Sequence, residues 1–237
     1  MKLRLAVTCS LVLGLAVMNM GTTAQGQEET KLPRVLILGD SISIGYTPTV
    51  QELLKDEAVV LRPMSKDGEK NENCQGTNNG VEHIDRWLKI DGGNWDVIHF
   101  NFGLHDLKRV NFKTGKNSND SDDPHQADPE TYGKQLEEIV GKLQATGAKL
   151  IFATTTPVPP GILKPHRDTE DPILYNAIAL KIMEKHGVAI DDLYAFAEPR
   201  LDEIQRPVNV HFTPEGSEAL GKVVAEKIRE TLKNTAE

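Results

Sequence analysis

The chain has 237 residues, of which 27 are Lys or Arg and 35 are Asp or Glu, so its formal net charge is −8. This acidity argues against a nucleic-acid partner, because nucleic-acid binding depends on basic patches, and it also disfavours anionic membranes. The length suits a single α/β domain with its own apolar core.

The N-terminal segment has the layout of a signal peptide. Lys2 and Arg4 precede an apolar run at residues 5–18, and small residues at 22–24 offer a cleavage site. The apolar run is shorter than the roughly 20 residues that a membrane-spanning helix needs. We therefore expect an exported protein, secreted or periplasmic, with no membrane span after the signal is removed.

Three segments follow from this interpretation. Residues 1–24 are the predicted signal peptide, 25–32 a flexible polar leader, and 33–237 a single domain. Cleavage would leave Cys74 as the one remaining cysteine, so the mature domain has no internal disulfide although export would permit one. The sequence also favours a monomer.

Strand and helix patterns alternate along the domain. Short apolar runs bounded by turn residues predict buried strands at 35–38, 58–61, 95–102, 149–153 and 188–190. Segments with apolar residues at helical spacing predict helices at 46–56, 81–90, 129–146, 173–186 and 214–232. This alternation predicts an α/β fold in which helices cover both faces of a parallel sheet.

The first strand leads directly to a candidate functional residue. Its apolar run, residues 35–38, continues into Gly39-Asp40-Ser41, where glycine permits a sharp turn. Ligands of open α/β sheets bind at the carboxyl ends of the strands, so this serine is carried to the expected site. The alternative is an ordinary Gly-Asp-Ser turn, because short motifs often match by chance.

A serine nucleophile needs an adjacent base, which is usually a histidine. His105 and His211 are the best candidates, since each follows a strand or loop at the predicted carboxyl edge of the sheet and His211 directly precedes a capped helix. The other histidines are predicted to lie on helix surfaces, in the core or in loops without a visible partner: His83, His99, His125, His166 and His186.

Three blocks of the sequence resemble the SGNH hydrolases, also called GDSL esterases. Residues 39–43 (GDSIS) match the first family block, 103–106 (GLHD) lie where the G-x-N-D block belongs, and 211–216 (HFTPEG) resemble the last block. The resemblance implies a three-layer α/β/α sandwich around a five-stranded parallel sheet, as in flavodoxin. It also implies a carboxylic ester hydrolase with Ser41 as nucleophile, His211 as general base, and no cofactor or metal.

The same resemblance implies an oxyanion hole. Its donors would be the backbone N–H groups of Ser41 and Gly76, with Gly80 as an alternative to Gly76, and the side chain of His105. His105 stands where the family has Asn, and its ring N–H can donate a hydrogen bond in the same direction. We expect this imidazole to titrate near neutral pH, which an amide cannot do.

The family acid is missing from its usual place, three residues before the base, where this chain has Val208. Asn209 is one position away and cannot carry a charge. Three alternatives remain: a backbone carbonyl orients His211, an acid such as Asp202 or Glu203 does so, or the site is degenerate. Loss of the orienting group lowers the rate without abolishing the chemistry, so the sequence favours an active enzyme.

The preferred substrate is a small-molecule or carbohydrate ester, and removal of acetyl groups from carbohydrate fits the export signal and the polar loops. A lipid-directed lysophospholipase or thioesterase is the first alternative. A carbohydrate-binding domain with impaired catalysis is the second. The long loops at 104–128 and 155–172 are expected to shape the site, and their cations Lys108, Arg109 and Arg167 are expected to be solvated.

Overall fold

Five parallel strands form the central sheet in the order β2-β1-β3-β4-β5 of the computed structural model, which describes residues 31–233. The strands are β1 Arg34–Leu38, β2 Val59–Leu61, β3 Val97–Phe100, β4 Lys149–Ala153 and β5 Ala189–Asp191. The chain adds β2 on one side of β1 and the remaining strands on the other. A ligand site is therefore expected beside the carboxyl ends of β1 and β3.

Helices cover both faces of this sheet. They are α1 Ser41–Leu54, α2 Thr77–Trp87, α3 Pro129–Gln144, α4 Asp171–His186, α5 Leu193–Ala197, α6 Leu201–Ile204 and α7 Pro214–Lys233. Helix α1 packs against α7, whereas α3 packs between α2 and α4. The predicted three-layer α/β/α sandwich is confirmed. No helix within residues 31–233 has both the length and the apolarity needed to cross a bilayer.

The two central strands are buried on both faces. Every residue of 35–38 on β1 and of 97–100 on β3 is fully buried, as a continuous apolar run between two helical layers requires. The predicted core histidine His99 lies in β3, and its Nε2 is 2.9 Å from Oδ2 of Asp191 on β5. A buried imidazole thus finds a polar partner within the core.

Two helices begin earlier than the apolar pattern predicts, because aspartate side chains bind their first N–H groups. Helix α1 starts at Ser41 rather than at residue 46, and the Asp40 side chain accepts from the Ile42 N–H at 2.9 Å. Helix α2 starts at Thr77 rather than at residue 81, where Asp106 accepts the Thr77 N–H at 2.7 Å. Such capping satisfies donors that a helix leaves unpaired at its N-terminus.

The two long loops are joined by backbone hydrogen bonds. Within residues 104–128 and 155–172, the Arg109 N–H donates to the His166 carbonyl, and the His166 N–H donates to the Ser118 carbonyl, both at 2.9 Å. Residues 104–128 and 155–170 contain no helix and no strand, and α4 begins at Asp171. The predicted signal peptide lies outside the described residues, and of the predicted leader only Lys31 and Leu32 are described.

Candidate active site

Ser41 is the first residue of α1 and directly follows the turn after β1. The N–H of a first helical residue has no partner within its helix. No protein acceptor for the Ser41 N–H is found among residues 31–233. The turn therefore places a hydroxyl and an unpaired backbone donor together at the carboxyl edge of the sheet.

His211 lies next to this serine although 170 residues separate them in sequence. Ser41 Oγ and His211 Nε2 are 2.9 Å apart. His211 precedes α7, whose start is fixed by a hydrogen bond of 2.9 Å from the Gly216 N–H to Thr213 Oγ1. The predicted nucleophile and base are thus within hydrogen-bonding distance.

Asn209 fixes the orientation of the His211 ring. Its Oδ1 accepts the backbone N–H of His211 at 2.9 Å and lies 2.7 Å from Nδ1 of the same residue. A backbone N–H can only donate, so the amide atom that faces it must be the oxygen. That oxygen also faces Nδ1, which must therefore carry the proton, and Nε2 is left free to accept the proton of Ser41.

Asn209 takes the orienting role that the sequence left to a backbone carbonyl or to an acid. Asp202 and Glu203 are exposed, and neither forms a hydrogen bond with His211. Val208, at the position of the family acid, is 52% exposed and adopts a left-handed backbone with φ of 49°. The orienting residue is thus an uncharged amide one position from the family acid. A side-chain bond from Asn to the N–H two residues on is a recurrent local pattern that could have indicated its role.

Burial favours the neutral form of the His211 ring. Burial lowers the pKa of His211 below 6.5, and the positive charges of Arg206 and Arg167 lower it further. The buried carboxylate of Asp40 acts in the opposite direction. A ring with a lowered pKa is unprotonated at neutral pH and can act as a base.

His105 lines the same cleft as Ser41 and His211. Its Nδ1 is 3.4 Å from Nζ of Lys108. An ammonium group only donates, so Nδ1 must be the acceptor and the ring proton must be on Nε2. Lys108 therefore holds His105 in the tautomer that an oxyanion donor needs.

The expectation that His105 titrates near neutral pH is wrong. Burial lowers the pKa of His105 to about 3, assisted by the positive charges of Lys108 and Arg167 and, at acidic pH, by protonated His211. The ring therefore stays neutral across the physiological range. Its hydrogen-bonding role does not change with pH there.

Two residues brace the turn that carries His105. A Cβ at Gly103 would overlap the hydroxyl of Thr155, so only glycine fits at the start of this turn. Asp106 is fully buried and accepts from Thr77 through its N–H at 2.7 Å and its Oγ1 at 2.6 Å. The turn after β3 is thereby tied to the start of α2.

Gly76 is the N-cap of α2, where a Cβ would lie 2.7 Å from Oδ1 of Asp106. Its N–H has no acceptor among residues 31–233. However, Asn73 of this loop lines the cleft, whereas Gly76 does not. Gly80 is engaged elsewhere, since its N–H donates to the Gly76 carbonyl at 3.0 Å. The oxyanion role of Gly76 stays a prediction.

The comparison with known protein families agrees with the motifs. The sequence model of the GDSL-like lipase/acylhydrolase family matches residues 37–219, well over half of the chain. The chain belongs to this family. Its members hydrolyse ester bonds, so the protein is an esterase or acylhydrolase. Among curated proteins no sequence gives a significant match.

Solved structures with the same fold include several ester hydrolases. A lipase/acylhydrolase from Enterococcus faecalis has a TM-score of 0.65 at 19% identity, over 84% of this chain and 96% of that one. The acetyl xylan esterase AlAXEase has a TM-score of 0.63 at 18% identity, over 82% and 99%. A variant of Axe2, an acetyl-xylooligosaccharide esterase from Geobacillus, has a TM-score of 0.62 at 16% identity, over 83% and 94%. At these identities the likeness shows the fold.

One cluster of metal-ligand type lies outside the cleft of this GDSL-like chain. Potential ligand atoms of His125, Asp168 and Asp171 lie within 4.8 Å of one another. The Arg109 guanidinium pairs with Asp168 and also lies 3.4 Å from Nδ1 of His125. A positive charge is therefore already present at this cluster, and its hydrogen bonds connect the two long loops.

Proposed function

We propose that the protein is a serine esterase that removes acetyl groups from carbohydrate. The observation that carries the proposal is the 2.9 Å contact between Ser41 Oγ and His211 Nε2, together with the bond to Asn209 that leaves Nε2 unprotonated. A serine hydroxyl becomes nucleophilic when a correctly oriented base can take its proton.

In the proposed reaction Ser41 Oγ attacks the acyl carbon while its proton moves to Nε2 of His211. The carbonyl oxygen becomes an oxyanion, which accepts hydrogen bonds from the N–H of Ser41, Nε2–H of His105 and the N–H of Gly76. His211 then gives its proton to the leaving alcohol as the acyl–enzyme forms. Water repeats the sequence, which releases the acid and restores Ser41.

Asn209 supplies the orientation that an acid provides elsewhere but not the negative charge. A Cys-His-Asn arrangement serves papain-like proteases, so a neutral residue can hold a catalytic imidazole. During the reaction His211 becomes an imidazolium, and the charge of Asp40 favours this form, although burial raises the pKa of the Asp40 carboxyl itself. We infer that the work of the missing acid is divided between Asn209 and Asp40.

The size and polarity of the cleft support a short acyl group. The cleft has a volume of about 330 Å³, and nine of its 14 lining residues are polar or basic, while the five apolar ones include Leu104 and Leu163. Acetylated carbohydrate fits such a site better than a long acyl chain. Acetyl xylan and acetyl-xylooligosaccharide esterases are among the structural neighbours. Export, inferred from the predicted signal peptide at residues 1–24, would bring the enzyme to such substrates.

A fluorophosphonate probe tests the proposal directly. We expect it to label the purified protein but not the Ser41→Ala variant, and the rate of 4-nitrophenyl acetate hydrolysis to fall in parallel. Labelling that does not depend on Ser41 would contradict the nucleophile. A preference for 4-nitrophenyl octanoate over the acetate would instead favour the lipid esterase, for which Ile162, 82% exposed beside Leu163, would be a docking residue.

A further inference from the structure

The charged residues that line the cleft all have the same sign. They are Lys108, Lys164 and Arg167, and no Asp or Glu lines the cleft. The chain as a whole carries a net charge of −8, so the charge of this cleft is opposite in sign to that of the whole protein. A cleft with one sign of charge and low-dielectric walls attracts ligands of the opposite sign.

Arg167 is held in place by hydrogen bonds that leave part of its guanidinium unused. Only 7% of the residue is exposed, although it was expected to be solvated. Its Nε donates to the Leu104 carbonyl at 2.9 Å, and its Nη1 lies 3.4 Å from the Pro165 carbonyl. Nη2 has no protein acceptor among residues 31–233 and is not sealed from solvent, so it is available to a ligand in the cleft.

Lys108 is similarly buried, with 7% exposure. Its Nζ contacts Nδ1 of His105, which uses one of its three N–H donors. Among the described residues, no carboxylate oxygen lies within 4.0 Å of the charged nitrogens of Lys108 or Arg167. Burial, followed by the charge of Arg167, lowers the pKa of Lys108. Asp40 and Asp106 act on Arg167 and Lys108 only through space, since neither carboxylate forms an ion pair with them. The burial of the two cations is therefore only partly compensated.

We propose that Arg167 and Lys108 form a subsite that binds an anionic oxygen group of the ester substrate. This inference rests on the proposed esterase function and narrows its substrate class to O-acyl esters of acidic carbohydrate, in which the anion is a sugar carboxylate. A planar guanidinium suits carboxylate and sulfate oxygens, and the neighbouring ammonium adds a second donor. The anion would also supply the direct ion pair that neither cation makes within residues 31–233.

Kinetics can distinguish a substrate subsite from a role in which Arg167 and Lys108 only stabilise the oxyanion. If the cations only stabilised the oxyanion, their removal would slow the hydrolysis of neutral and anionic esters by the same factor. A substrate subsite affects the anionic ester selectively. The ratio of the two kcat/KM values therefore separates the explanations, and it does not depend on whether a variant lowers both values.

The first experiment compares 4-nitrophenyl acetate with 5-acetoxy-2-nitrobenzoate, which carries a carboxylate on the same chromophore, each corrected for its rate with hydroxide. We expect the wild type to favour the carboxylate ester by about tenfold or more, the range of a charge-assisted hydrogen bond. Arg167→Gln should bring the ratio close to one. Arg206→Gln is the control, because it removes a positive charge that also acts on His211 but lies outside the cleft lining. Its ratio of the two kcat/KM values should stay within about twofold of the wild-type ratio.

A binding experiment separates this inference from the esterase proposal, since it needs no turnover. Glucuronate, glucose and inorganic sulfate are titrated into Ser41→Ala protein by calorimetry, after circular dichroism has shown that the variant is folded. Glucuronate should bind more tightly than glucose, and Arg167→Gln should remove the difference. Tighter binding of sulfate would support the subsite and assign it to sulfated sugars. Equal binding of glucose and glucuronate, unaffected by Arg167→Gln, would overturn the subsite even if the fluorophosphonate probe labels Ser41.

Discussion

His211 and His105 contribute to the same cleft from two different parts of the fold. His211 precedes α7, and its Nδ1 donates to Asn209, so its Nε2 accepts from Ser41. His105 lies in the turn after β3, and its Nδ1 accepts from Lys108, so its Nε2 donates. Two identical side chains thus have opposite hydrogen-bonding roles.

One neighbour decides each role, and neither neighbour is an acid. Asn209 presents an oxygen because the same oxygen binds a backbone N–H, and Lys108 presents only donors. The tautomer of an imidazole can therefore be set without a carboxylate. What a neutral neighbour cannot do is stabilise the imidazolium by charge, and this is where we expect His211 to differ from the base of a complete acid-containing triad.

Loss of the base should have the largest effect. His211→Ala leaves the hydroxyl of Ser41 without a proton acceptor, so we expect kcat for 4-nitrophenyl acetate to fall by about 10⁴-fold or more. His83→Ala, which removes a partly exposed histidine on α2, is the matched control and should retain activity. A decrease of less than tenfold in His211→Ala would mean that another group acts as base.

Loss of the oxyanion donor should come next. His105→Ala is expected to lower kcat by about 10²–10³-fold, the effect of removing one such donor. His105→Asn restores an N–H donor at the position where the family has Asn, and it should retain most of the activity. If the two variants were equally impaired, His105 would have a function that an amide cannot replace.

The regular elements of this fold could be read from the sequence because burial on both faces of a parallel sheet leaves continuous apolar runs. The strand at residues 149–153 was predicted with its observed bounds. The starts of α1 and α2 were predicted late because Asp40 and Asp106 cap them, and the Asp106 bond to Thr77 joins residues 29 apart. Local periodicity contains no information on contacts of that kind.

The features of the site that depend on local sequence could be predicted, and those that depend on long-range packing could not. Ser41 and His211 lie in motifs with fixed local surroundings, so their proximity could be predicted. The burial of Lys108 and Arg167 could not, since it results from the packing of two irregular loops. The low pKa of His105 follows from that burial and from the nearby cations. The role of Asn209 depends on its acceptor oxygen and on a local bond to the N–H two residues on, a pattern that the sequence alone can indicate.

Loss of the orienting amide should have a moderate effect. Asn209→Ala removes the acceptor for both His211 N–H groups, so the ring loses its fixed tautomer and position, and we expect kcat/KM to fall by about 10–10²-fold. Asn71→Ala, at an exposed asparagine of another loop, is the matched control. An unchanged kcat/KM in Asn209→Ala would show that water or a backbone group can take over the orientation.

The pH dependence should show a single acid limb. His211 must be unprotonated to act as base, and its pKa lies below 6.5, so kcat/KM should be lost only as the pH falls below this value. His105 has a pKa of about 3 and should add no second limb at neutral or mildly acidic pH. Initial rates with 4-nitrophenyl acetate between about pH 4.5 and pH 8 measure the limb. A midpoint above 6.5 would contradict the lowered pKa of His211.

Asn209→Asp tests whether the missing charge sets the position of that limb. The carboxylate can still accept both His211 N–H groups, and its charge favours the imidazolium, so the pKa of His211 should rise by about one unit or more. The acid limb then moves to higher pH, which lowers activity near pH 5, while a better stabilised imidazolium raises kcat several-fold near pH 8. The two pH profiles should therefore cross. A profile that keeps its midpoint would mean that Asp40 and the nearby cations, rather than residue 209, determine the protonation of the base.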